Sequence, residues 1–140
     1  MKVLIDTNIT LDILLHRQPW YTNAALVFSL TKQDFIQSYV SATTITDIFY
    51  LARKDLGKNG VKESIKNLLQ VFHPATVSDH HIYQALDLDW VDFEDSVQFA
   101  VGESLSVDYI ITRNTQDFSS SPIPAVTPEQ FIQTFADIEK

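Results

Sequence analysis

No cysteine occurs among the 140 residues of this chain, which excludes disulfides and thiolate metal sites. That fits a reducing compartment such as the cytoplasm without requiring one. Glycine is scarce, with three in all, and they form neither a phosphate-cradling loop nor a nucleophile elbow. Cations run short of anions: ten Lys and Arg face 18 Asp and Glu, for a formal net charge of −8. Such a chain lacks the basic footprint that holds nucleic acid by charge alone. Long apolar runs are missing too. Asp6 interrupts the early one, so neither a secretory leader nor a membrane partner is expected, and no segment is long enough to span a bilayer.

What the chain does have is a core. Apolar residues make up 45% and aromatics 11%, which argues for one folded domain over residues 1–140. Val3 to Ile5 reads as a first strand, followed by a helix capped by Thr7 or Asn8. After Pro19 a helix covers about Trp20 to Leu30, and Phe35 to Val40 is the next strand. Ile45, Ile48, Phe49 and Ala52 recur at helical spacing. Lys58-Asn59-Gly60 reads as a loop before a second apolar stripe from Val61 to Leu69. Val71 to Val77 is a strand placed at a sheet edge by Pro74. Ser78 caps a helix running to Leu86, and Val97 to Leu105 stripe another. Tyr109 to Thr112 and Ala125-Val126 are late strands. Thr127-Pro128-Glu129-Gln130 opens a final helix with a reciprocal cap. Strands alternating with helices predict an α/β fold with a parallel sheet covered on both faces.

Four acidic segments punctuate this alternation, carrying Asp6, Asp47, Asp95 and Asp117. In open parallel sheets, ligands gather beyond the carboxyl ends of the strands, where Asp6 and Asp117 fall by sequence order. Carboxylates meeting there repel one another and resist desolvation, and a divalent cation is their natural partner. Hard ions such as Mg2+ or Mn2+ take oxygen ligands. One or two of them activate water and neutralise charge on a phosphodiester. Two would still leave the chain near −4 formally. Asn8 and Asn114 offer neutral oxygens, Thr7 and Thr112 offer hydroxyls, and Asp92 is a reserve acid one turn before Asp95. Arg113, Arg53 and neighbouring lysines are candidates for phosphate contact.

Plainer readings stand beside these. Thr44-x-x-Asp47 and Asp92-x-x-Asp95 both fit helix caps, and Asp117 fits a turn. Asp6 is hardest to explain as structure, because it abruptly ends a buried strand. The histidines His16, His73, His80 and His81 lack zinc spacing and suit surface or helix-start positions. A dehalogenase-type phosphatase needs an acid where Asn8 stands, and a signalling receiver needs a lysine where Arg113 stands.

Taken together, four segments resemble the PIN-domain nucleases, and more specifically the VapC-like toxins. They are Val3 to Asn8, Ser41 to Tyr50, Asp92 to Gln98, and Asp108 to Phe118. The match runs from about residue 1 to residue 135. It implies a three-layer α/β/α sandwich with a central parallel sheet of about five strands. It also implies endonucleolytic cleavage of RNA with Mg2+ or Mn2+, an antitoxin partner, and room for a homodimer. By position, Asp6, Asp47, Asp95 and Asp117 resemble the family's acidic cluster, with Asn8, Thr112 and Asn114 as a polar shell. Two departures are visible. Asp47 stands where the family often has Glu, and Asn114 where the late motif often has Asp, leaving the last carboxylate to Asp117. A non-catalytic binding module on the same fold is the alternative.

Overall fold

Val3, Leu4 and Ile5 are fully buried and are the last three residues of the central strand of the sheet. The computed structural model describes residues 1–139, and side chains through Ala136. Five parallel strands are present: β1 (Lys2–Ile5), β2 (Gln37–Ser41), β3 (His73–Ala75), β4 (Tyr109–Ile111) and β5 (Ala125–Val126). Their spatial order is β3-β2-β1-β4-β5. The chain therefore winds outward from β1 in one direction, then jumps back across it to β4. That reversal opens a crevice between β1 and β4, beyond their carboxyl ends. The edge position expected for the strand carrying Pro74 is the one it occupies.

Alternation along the strands sorts side chains into two cores. Val3, Ile5 and Ile111 face a cluster built with α1 (Thr7–Leu14), α2 (Tyr21–Leu30), α3 (Ala42–Leu68) and α6 (Pro128–Glu139). Leu4 and Ile110 face the opposite cluster, built with α4 (Asp79–Asp87) and α5 (Phe93–Leu105). The result is a three-layer α/β/α sandwich. Gly102 lets α5 approach the sheet: a Cβ there would meet Val107 Cγ2 at 3.2 Å and Leu4 Cδ2 at 3.5 Å.

Local readings fare unevenly. Thr127 and Gln130 cap α6 reciprocally, as expected, through bonds of 2.9 and 3.2 Å. The cap of α1 is Asp6 rather than Thr7 or Asn8. Ser41, not Thr44, caps α3, so Asp47 lies inside that helix rather than closing a capping box. The expected loop at Lys58-Asn59-Gly60 is helical, because the break falls earlier, on Gly57 at φ 74° and ψ 162°. His81 holds a helix-start position, as expected, but is buried there; its Nδ1 accepts from the Ser78 backbone and its Nε2 meets Ser104 Oγ.

Candidate active site

Asp6 closes β1 and begins α1, so its carboxylate stands at the mouth of the crevice while remaining 6% exposed. Both oxygens are held. Oδ1 accepts from the Thr7 backbone N–H at 2.7 Å, and Oδ2 accepts from Thr112 Oγ1 at 2.7 Å. Thr112 follows β4 directly, so this bond ties the two strand ends together. Asn8 reinforces it: Nδ2 lies 3.4 Å from both Asp6 Oδ2 and Thr112 Oγ1, while Oδ1 accepts from the Arg113 N–H. The Asn114 N–H donates to Thr112 Oγ1 at 3.0 Å.

The second wall is the start of α5. Asp92 is its cap, accepting from the Asp95 N–H at 3.1 Å. The capping reading of that pair is thus correct for Asp92, and Asp95 is left with a buried carboxylate facing other acids. Glu94 reaches across to accept from Thr7 Oγ1 at 2.9 Å. Asp92 and Asp117 line one cleft of about 320 Å³, together with Trp90 and Ser119.

The acids sense one another. Burial, followed by repulsion from Asp6, Asp92, Asp117 and Glu94, pushes the Asp95 carboxyl up to about 7. Burial also raises Asp6, against the lowering effect of its bonds to Thr112 and Thr7, with Asp92 and Asp117 adding repulsion. Glu94 is raised by burial first, opposed by Thr7, with Asp47, Asp6 and Asp92 repelling it. Asp47, inside α3, touches on this group only through the repulsion it exerts on Glu94. Asp6, Asp92, Asp95, Asp117 and Glu94 therefore form one electrostatic unit, with Asp47 at its margin.

Basic residues do not neutralise it. Among the described residues, the two ion pairs both belong to Asp12. Arg113, expected to face a phosphate, gives Nε and Nη2 to Asp12 at 2.8 and 3.3 Å and stacks 4.0 Å over the Trp20 ring. It fastens α1 to the strand end. Arg53 is exposed and lies against the Tyr50 ring.

Sequence reasoning left out Glu94, Gln98 and Thr44 from the site. Glu94 was visible as the middle acid of Asp92-Phe93-Glu94-Asp95. Gln98 was visible only as a polar residue one turn after Asp95 in an otherwise apolar stripe.

Does this set suit a divalent cation? The donors are carboxylates and neutral oxygens, which is what Mg2+ and Mn2+ prefer. Their mutual repulsion, without a basic counter-charge, is what a cation relieves. Among the described residues, however, no three of these side chains are yet drawn together at ligand spacing. The donor chemistry fits a hard divalent cation.

The same architecture recurs in solved structures. A toxin–antitoxin complex from Klebsiella pneumoniae contains a chain similar to this one, with a TM-score of 0.69 and 24% identity over 90% of this chain and 97% of that one. VapBC-1 from nontypeable Haemophilus influenzae superposes with a TM-score of 0.72 at 15% identity, covering 92% and 99% of the two chains. VapC20 of Mycobacterium tuberculosis, described as a Sarcin-Ricin loop cleaving toxin, gives 0.62 at 15% identity over 77% and 86%. At these identities the likeness speaks for fold. No curated protein matches the chain. Residues 2–116 match the PIN domain family, a span that takes in every acid of the cluster except Asp117. With the sheet order, the crevice and this match in agreement, the chain belongs to the PIN domain family.

Proposed function

We propose that this chain is a metal-dependent endoribonuclease that hydrolyses RNA phosphodiester bonds as the toxin of a toxin–antitoxin pair. The observation that carries the reading is the uncompensated carboxylate group around Asp6, seated at the reversal point of a parallel sheet. RNA as substrate is supported by similarity to VapC20, and an antitoxin as partner by similarity to a chain of the Klebsiella pneumoniae toxin–antitoxin complex; a cytoplasmic setting is part of the proposal. A homodimer and a single working domain over residues 1–140 belong to the same proposal.

Asp6, Asp95, Asp47 and Asp117 would hold one or two Mg2+ or Mn2+ ions, with Glu94 and Asp92 beside them. The chemistry such a cation supplies when bound is activation of water and neutralisation of charge on the phosphate. The chain's own contribution is preorganisation. Thr112 and the Thr7 N–H fix the plane of the Asp6 carboxylate. Asn8 holds the backbone of Arg113, keeping the segment that carries Asn114 and Asp117 beside Asp6. The Thr7 hydroxyl gives its proton to Glu94 and the Thr112 hydroxyl gives its proton to Asp6, so neither is arranged as a nucleophile. Water is the attacking species on this reading, and no covalent enzyme intermediate forms.

The test is cleavage of structured RNAs by purified protein with Mn2+, with chelator, and with Asp95→Asn. Cutting that needs Mn2+ and vanishes in a folded Asp95→Asn protein is expected. Cutting at the parental rate by the variant refutes the assignment. The second reading, a non-catalytic binding module, is favoured by the unconverged side chains and by Asn114 in an acid's place. It predicts neither Mn2+ binding nor cleavage.

A further inference from the structure

Gln98 lies 1% exposed on α5, one turn after Asp95, and its amide faces three acceptors at once. Nε2 donates to Thr44 Oγ1 at 2.9 Å and lies 3.4 Å from Asp6 Oδ1 and 3.5 Å from Thr7 Oγ1. The direction of the amide is dictated by Asp6. A carboxylate only accepts, so turning the amide over would set oxygen against oxygen. That orientation has a cost: Oε1 is buried with no partner, the one such side-chain atom among the described residues. A buried carbonyl without a donor loses its hydration and gains nothing in return.

The hydroxyls beyond Gln98 also have a fixed direction. Thr7 Oγ1 has one proton and donates it to Glu94 at 2.9 Å. In the 2.9 Å contact between Thr44 and Thr7, Thr44 is therefore the donor. Thr44 in turn accepts from Gln98. The chain runs Gln98 to Thr44 to Thr7 to Glu94, each link polarising the next. One amide thus reaches Asp6 directly and Glu94 through two hydroxyls, linking α1, α3 and α5 beneath the acids.

We propose that Gln98 is a positioning residue that sets Asp6 and Glu94 relative to each other for a divalent cation, its unpartnered carbonyl being stability forgone for that purpose. This rests on the metal-dependent reading of the site. Neutral groups that orient ligating carboxylates typically change metal affinity 10- to 100-fold when removed.

The experiment is calorimetric titration with Mn2+ at one pH, with melting curves in chelator, for the parental chain, Gln98→Met and Thr44→Val. Gln98→Met keeps the volume and deletes the orphan carbonyl. It is expected to melt no lower than the parent without metal, and to bind Mn2+ about ten-fold or more weakly. Thr44→Val cuts the arm to Glu94 and a 3.1 Å contact with Ser41 but leaves the Gln98 amide beside Asp6, with a smaller loss expected; it also stands in should Gln98→Met fail to fold. A parental chain that binds Mn2+ alongside variants within two-fold of it overturns the inference and leaves the nuclease reading standing. A Gln98→Met protein that melts well below the parent, with Mn2+ affinity intact, assigns Gln98 to packing. If the parental chain binds no Mn2+, the metal-dependent reading fails and this inference falls with it.

Discussion

Thr112 Oγ1 donates to Asp6 Oδ2 across 2.7 Å, joining residues 106 apart in sequence at the carboxyl ends of neighbouring strands. The hydroxyl is fully committed. Its single proton goes to Asp6, and its lone pairs receive the Asn114 N–H and Asn8 Nδ2. Replacing it with the isosteric valine is expected to cost about 2 kcal/mol of stability, since a buried carboxylate oxygen loses its donor. RNA cleavage should fall roughly 10- to 100-fold, while Thr112→Ser keeps most of both. Denaturant melts and cleavage rates on the two variants check this. Equal loss in valine and serine would assign Thr112 to shape rather than to its hydroxyl.

Asp6, Glu94 and Asp95 all bind protons more tightly folded than unfolded, Asp95 moving from 3.8 to about 7. Between those values the folded chain holds more protons than the unfolded one. Stability from these groups is therefore complete below their unfolded values and is lost as pH rises through the folded ones. In chelator, the urea midpoint should fall more between about pH 5 and pH 8 for the parental chain than for Asp95→Asn. Saturating Mn2+ should flatten the parental decline, because the cation replaces the proton as counter-charge. Identical slopes for parent and variant would contradict the coupling.

The parts of this site legible in the sequence are those fixed by local pattern. Asp6 stood out because an acid ending a run of Val, Leu and Ile has no local reason to be there. The α6 cap was legible because Thr127 and Gln130 satisfy each other's backbone within one turn. Partners chosen by tertiary structure were not legible. Asp12 looks like one more surface acid on a helix, yet it is fully buried and binds an arginine 101 residues away. Whether Asp92, Glu94 or Asp95 faces the cluster depends on how α5 docks, which no spacing reveals. Once docked, all three join it by different routes.

That buried Asp12 leads to a further expectation. Its carboxylate receives Arg113 at 2.8 Å and Arg17 at 3.0 Å, with no other ion pair among the described residues. Removing one member of such a cluster leaves the rest uncompensated, so Asp12→Ala should destabilise by about 3 kcal/mol or more. Arg113→Lys should not behave as a mild change, because an ammonium cannot reproduce the fork on Asp12 or the stack on Trp20. Loss of thermal midpoint in both, with the Trp20 emission shifted in Arg113→Lys, is the expected result. A lysine variant that melts like the parent would return Arg113 to the role of a free phosphate contact.

The helix break at Gly57 offers a test free of the active site. Its φ of 74° with ψ of 162° lies in a region open essentially to glycine alone, and a Cβ built there meets nothing within 4 Å. The obstacle to substitution is therefore conformational rather than steric crowding from neighbours. Gly57→Ala should cost about 1–3 kcal/mol by backbone strain. Gly60→Ala, in helical backbone with only Leu56 Cβ at 3.6 Å, should be neutral or stabilising by about 0.5–1 kcal/mol. Lys58-Asn59-Gly60 looks like a turn by composition, and the two alanine variants separate composition from conformation. A loss in Gly57→Ala without a loss in Gly60→Ala places the break at Gly57; a gain in both would mean that α3 straightens through this segment.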